Sequence, residues 1–487
     1  IIVFICLAGH CEANQQDLKI YDNTGSEVTN TNIEISFTRG YELFEKRHYK
    51  KASTYFYRYL SQTSPDDANY EWAAFFFGIC LKKSGLSHAA VEVLAPIVMR
   101  KPNPKIVSYS LDLLEEVTRT IPFDRDLIIQ QVICDQEYGF VGKDAADFVN
   151  FYQGVCDWEL GFFQWGNEHF KDITQQTYYY YKYLFRKALS RVYQNQTDDA
   201  IAILKQILGD PNAAADDLRD ETRVMLARLL YEKGELNEAS LIYQLIQKPI
   251  LEQAEYLLER AWTQYRKGNT EKAMGLLYAF KAPSFENYLT PEYYILKSLI
   301  YKEVCHYQRA LAVVHEFNKH YRSALEAIYK RGKALENQAL LILLLNKKEI
   351  NQNWKFLRLL ESEKARCGQF RDEALGKYLE RLYTLQIQES ADSLRELIEK
   401  EYEKNANKLL TFEEEAHLME YEIGLDMYQR VYEHHYSGDN SSEDKETAQK
   451  IVVYPFQGEF WNDELANYKV TLPDKCNAAE EWDIFFK

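Results

Sequence analysis

The chain has 487 residues, 27% charged and 46% hydrophobic, with a formal net charge of −16 and a pI near 5.3. No basic cluster offsets that charge, which excludes the positive footprint a nucleic-acid binder needs. Only 20 glycines and 11 prolines occur, which favours helices over a loop-rich β fold.

The opening IIVFICLAGHCEANQQ is an apolar run followed by small residues. Residues 1–13 read as the end of a truncated secretory signal peptide with a cut before Asn14, and the run is too short to span a membrane. Lipidation of Cys11 is the lesser alternative, because His10 rather than a small residue precedes it. Residues 14–33 are polar and aperiodic and read as a flexible leader.

From residue 34 a small-residue code begins. Gly40, Tyr49, Ala52 and Phe56 form a first unit ended by Pro65; Gly78, Gly85, Ala90, Leu94 and Pro102 form a second. Residues 105–139 are helical in pattern but lack the small residues. Gly154, Phe163, Gly166 and Phe170 resume the code, and Ala188, Ala200, Leu204 and Pro211 repeat it. The clearest statement follows: Ala227, Tyr231, Lys233, Gly234, Ala239 and Pro249 return as Ala261, Tyr265, Lys267, Gly268, Ala273 and Pro283, each 34 residues later. In one such unit Leu226, Leu229 and Leu230 make one apolar stripe, Gly234 ends the helix, and Leu236, Ala239, Tyr243 and Ile246 make a second. A last unit, Tyr294 to Phe317, keeps Tyr307, Ala310 and Val314.

The period and the Ala239-x-x-x-Tyr243 and Ala273-x-x-x-Leu277 pairs resemble the tetratricopeptide repeat (TPR). That resemblance implies an all-α fold: a TPR-like α-solenoid, a right-handed superhelix of helix pairs, over residues 34–321. Stacked repeats form a concave surface lined by the first helix of each unit. Off-core side chains there are Arg228, Tyr231, Trp262 and Tyr265, residue types that carry protein interfaces. The two tyrosines recur at the repeat period, so packing between neighbouring repeats is their alternative role. The run Tyr178-Tyr-Tyr-Tyr181 is a second candidate surface, since four consecutive helical residues cannot all face inward.

Residues 322–436 read as a helical extension, acidic toward its end, suited to cap the last repeat. Residues 437–450 form an acidic linker. Residues 451–487 are expected to hold a small β-containing segment, with Trp461 buried, built on the β-prone Ile451–Phe456 and Tyr468–Leu472. Pro455, Phe456, Gly458, Glu459, Trp461, Asp463, Glu464, Leu465 and Tyr468 resemble the C-terminal segment of TPR proteins from the cell envelope of δ-proteobacteria and predatory relatives, some of them in gliding-motility machinery.

No phosphate loop, HExxH or GxSxG occurs. Glu303…His306 and Glu414…His417 have a di-iron spacing, but so many glutamates make that a chance match; no catalytic residue, metal or cofactor is expected. The six cysteines after the signal show no paired spacing, and Cys80 and Cys156 read as small buried hydrophobes. The chain is thus expected to be a non-enzymatic protein–protein interaction scaffold of the bacterial envelope. It would be periplasmic or outer-membrane-associated, with protein partners, no transmembrane span and peripheral membrane association possible; docking through the C-terminal aromatic segment is the alternative.

Overall fold

The computed structural model describes residues 30–138, 141–213, 216–246, 254–282, 285, 290–345, 347–436 and 468–476. The described chain is helical and falls into two compact units: residues 30–172 with 355–391, and residues 173–354 with 392–476.

The first unit contains α1 (Asn30–Glu45), α2 (Tyr49–Gln62), α3 (Tyr70–Lys83), α4 (Ser87–Arg100), α5 (Pro104–Thr120), a wide π-helical stretch (Asp126–Cys134), α6 (Lys143–Glu159) and α7 (Phe163–Lys171). The second contains α8 (Tyr178–Tyr193), α9 (Thr197–Gly209), α10 (Asp216–Lys233), α11 (Leu236–Gln244), α12 (Ala254–Arg266), α13 (Thr270–Ala279), α14 (Pro291–Glu303), α15 (Tyr307–Tyr329) and α16 (Gln338–Leu345). Two further helices, α17 (Lys348–Arg366) and α18 (Glu373–Tyr436), contribute residues to both units. Successive helices pack on one another within each unit, which is the packing of a helical repeat.

Seven helix pairs obey one rule. A small residue on the first helix is followed sixteen positions later by a bulkier one on the second: Gly40 and Phe56, Gly78 and Leu94, Gly154 and Phe170, Ala188 and Leu204, Ala227 and Tyr243, Ala261 and Leu277, and Ser298 and Val314; all are buried, and the three glycines lie directly against their partners. The closeness is measurable at Gly154, where a Cβ would lie 2.6 Å from the Phe170 ring. The turn between the helices is equally uniform. Its first residue has positive φ in every pair: Arg47, Gly85, Gly161, Asn195, Gly234, Gly268 and Cys305. That residue's N–H bonds the carbonyl three back, and the next N–H bonds the carbonyl five back, as in Gly268 N to Tyr265 O at 2.9 Å and Asn269 N to Gln264 O at 2.9 Å. This double closure satisfies the orphan carbonyls of the first helix.

In the first unit, α17 and α18 pack on the pairs α1–α4. The clearest contact is at the start of α4, whose N-cap Leu86 offers no side-chain acceptor. Glu363, 2% exposed, fills that place: its carboxylate accepts from Ser87 N at 2.9 Å and His88 N at 3.0 Å. The Tyr383 hydroxyl donates to the same carboxylate at 2.7 Å and accepts from Ala89 N at 3.3 Å. An anion at a helix N-terminus meets both the free amides and the helix dipole.

In the second unit α18 lies beside the last pair. Leu409, Ala416, Met419 and Ile423 enter the core that holds Phe317, Tyr321 and Leu325. Lys302, at the end of α14, reaches Glu422 at 2.5 Å and Asp426 at 3.8 Å, and the Tyr329 hydroxyl donates to Glu413 at 2.5 Å. The Lys408 charge acts on Glu292 at the start of α14 and Lys302 at its end reaches Glu422, so α18 runs in the same direction as α14.

The expected β-containing segment is corrected by the structure. Among the described residues there is no strand. Residues 468–476 are extended, but their backbone pairs with helical and turn carbonyls: Val470 N donates to Glu271 O at 3.1 Å and Lys475 N to Val304 O at 3.1 Å. The alternation that suggests a strand instead turns Leu472 into helical packing. Residues 451–467, including Trp461, lie outside the described residues.

The cysteine reading is also corrected. Cys134 pairs with Cys156, and Cys305 with Cys476, so Cys156 is a disulfide half; Cys80 is free and buried as expected. The first bond ties the π-helical stretch to α6. The second ties the 468–476 strap to the turn between α14 and α15. Gly275 makes room for that strap: a Cβ there would lie 1.9 Å from Tyr468 O.

Candidate partner-binding surface

The four candidates on α10 and α12 lie on successive first helices, and the structure brings them together through a ladder of contacts to the next repeat. The Arg228 guanidinium clamps Glu259 of α12, with Nε donating at 3.0 and 3.1 Å and Nη2 at 2.5 Å. The Tyr243 hydroxyl donates to the same carboxylate at 2.7 Å. This planar, two-pronged pairing is geometry that lysine cannot supply.

The second rung is Tyr231. Its ring lies under the Arg266 guanidinium, 4.5 Å from the centroid, and its carbonyl accepts from Arg266 Nη1 at 3.2 Å. Tyr265 makes the third: its hydroxyl donates to Glu303 at the end of α14. Both tyrosines thus bridge neighbouring repeats, the alternative that their recurrence raised. Trp262 is half-buried and meets Tyr265 edge to face, with ring centroids 5.8 Å apart. Among the described residues its buried indole nitrogen has no well-aligned hydrogen bond. It nonetheless bears on Glu292, whose carboxyl is raised above its usual range by burial while Lys408 and the indole N–H pull it back.

Tyr178 and Tyr181 belong to a separate cluster on α8. Tyr179 and Tyr181 are buried, while Tyr178 and Tyr180 are half-buried. The Lys182 ammonium stands 5.3 Å from the Tyr178 centroid and 5.8 Å from that of Tyr179. Tyr181 therefore packs in the core of its unit, with Leu184 and Ala188. Trp461 lies outside the described residues.

Sequence reasoning missed Glu259, Arg266 and Glu303, the groups that engage Arg228, Tyr231 and Tyr265. A signal existed: each lies about one repeat beyond its partner with complementary chemistry. The two Glu-x-x-His spacings resolve into other roles. Glu303 accepts from Tyr265, the His306 Nε2 lies 2.8 Å from Pro473 O on the strap, and Glu413 beside the second motif engages Tyr329. Cys305, Cys476 and Asp474 lie close enough together to hold a metal, but the two sulfurs are joined.

In the first unit an open cleft of about 820 Å³ runs between α17 and α18, lined by Glu361, Lys364, Cys367, Phe370, Glu373 and Lys377 among others. Burial pushes the Cys367 thiol up to about 11, so it is protonated at neutral pH and poorly suited to nucleophilic work. No helix among the described residues is long and apolar enough to cross a membrane. No protein-family model matches this chain, and no curated protein matches it.

Proposed function

We propose that this chain is a non-enzymatic, TPR-type scaffold that binds other proteins on the ridge formed by its first helices. The observation that carries this reading is the recurrence of one helix-pair geometry, three times in the first unit and four in the second, because such repeats present within each unit a row of equivalent helices rather than a single catalytic hollow. On α10 and α12 that row carries Trp262, Tyr231 and Arg266, with large rings held in place by their neighbours. Ordering them on binding costs little side-chain entropy. Export to the bacterial envelope fits the apolar opening, and two disulfides support an oxidising compartment.

Docking through the C-terminal aromatic segment is the weaker reading, because residues 468–476 are already held on the chain's own repeats. The test is capture from envelope extract of the source cell on immobilised full-length protein. Proteins retained by the wild type and lost with Trp262→Ala plus Tyr231→Ala, while helicity is unchanged, support the scaffold reading. Equal capture by the double variant contradicts it.

A further inference from the structure

The last helix of the array is not finished as a cap should be. In a repeat protein the terminal element ordinarily turns a polar face to solvent. On α18 the face opposite Ala416, Met419 and Ile423 instead shows Leu418 60% exposed, Tyr421 65%, Leu425 40% and Tyr428 67%. Their spacing of three, four and three residues is that of a coiled-coil seam, where an apolar stripe is covered by a second helix. From Glu413 to Gln429 the helix carries Glu413, Glu414, Glu415, Glu420, Glu422 and Asp426, and neither lysine nor arginine. Among the described residues, Lys302 pairs with Glu422 and Asp426.

We propose that this face is a second docking surface, separate from the first-helix ridge, and that its occupant is a basic amphipathic helix of another protein. The charge decides the occupant. A second copy of this chain would set the six acids against six more. The chain's own residues 437–467 carry seven acids against two lysines and meet the same repulsion. A helix with leucines at heptad spacing and lysines flanking them answers both the apolar stripe and the acidic rim.

The probe is a synthetic helical peptide of leucine and lysine in that pattern, titrated against the full chain by fluorescence anisotropy. Its controls are a scrambled peptide of the same composition and an analogue with glutamate for lysine. The amphipathic lysine peptide is expected to bind, more weakly as salt rises, with the scrambled and glutamate peptides at least about tenfold weaker. Leu418→Ser with Leu425→Ser, both exposed and harmless to the fold, is expected to weaken it by about tenfold or more. Glu414→Lys with Glu415→Lys is expected to shift preference toward the glutamate peptide. Equal binding by the scrambled peptide, or no loss in the leucine variant, overturns the proposal. So does a chain that sediments as a dimer dissolved by the leucine variant, which assigns the face to a second copy. None of these outcomes bears on the Trp262 ridge.

Discussion

Glu363 is a single buried carboxylate that closes a helix far from it in sequence. It satisfies two backbone amides of α4 and fixes Tyr383, which takes a third. Glu363→Ala strands those donors, at about 1–3 kcal/mol for each group left unsatisfied. Chemical denaturation should therefore show a loss of about 3 kcal/mol or more. Glu363→Gln keeps one acceptor and should lose less; equal losses in the two variants would deny the capping role. Beside it His88 is 3% exposed, and burial lowers its pKa from 6.5 to about 4. The groups facing it are Glu92 at 3.5 Å, Phe356 and Tyr383, and burial is the cause of the shift. The sign follows from proton uptake: the unfolded chain takes a proton near pH 6.5, the folded one only near pH 4. His88's contribution is complete above about pH 6.5 and is lost as pH falls toward 4, by about 3 kcal/mol in all. Glu92 and Glu363, whose carboxyls burial raises, act with the opposite sign. Comparing His88→Gln with the wild type isolates the histidine. The variant should lose less stability between pH 7 and 4.5, and identical slopes would refute the assignment.

At the scale of the element, the helix pair depends on close approach and the strap on a staple. Ala239 is fully buried in the second helix of its pair, so Ala239→Trp forces bulk into a packed seam, at a cost of about 1–3 kcal/mol or more. An unchanged melting temperature would refute the seam. The strap at 468–476 is held by Cys305–Cys476, by Arg430 Nη1 donating to Cys476 O at 2.5 Å, and by the room at Gly275. Cys305→Ser with Cys476→Ser should free the strap so that trypsin cuts faster at Lys469 and Lys475, and should cost about 2–4 kcal/mol. Gly275→Ala should loosen the strap with the disulfide intact; unchanged trypsin protection in both variants would show that neither device holds it. These elements were unequally legible. The pairs at Ala227 and Ala261 could be read because small residues and turn glycines recur together. The turns at Arg47, Asn195 and Cys305 could not, because positive φ leaves no mark when the residue is not glycine. The Cys305–Cys476 partners were hidden because contact across 171 residues has no local signal. The strap was misread as a strand because alternation reports an extended backbone, not what pairs with it.

At the largest scale each unit is a helical repeat, and in the second unit the first-helix face that carries the candidates is assembled from adjacent repeats rather than from one loop. Its candidate residues were partly legible. Arg228, Tyr231, Trp262 and Tyr265 do lie on successive helices, but the repeat period could not reveal that Arg228 is committed to Glu259 or that Tyr181 is buried. The central claim is that proteins bind this ridge. Its most direct test is site-specific photo-crosslinking in the cells that make the protein. A photoreactive residue would replace Trp262 or Tyr231 on the first helices, or Leu241 on a second helix, which is itself 62% exposed. The expected result is covalent adducts to other proteins from positions 262 and 231 and none from 241. Adducts from Leu241 with none from the first helices would contradict the account.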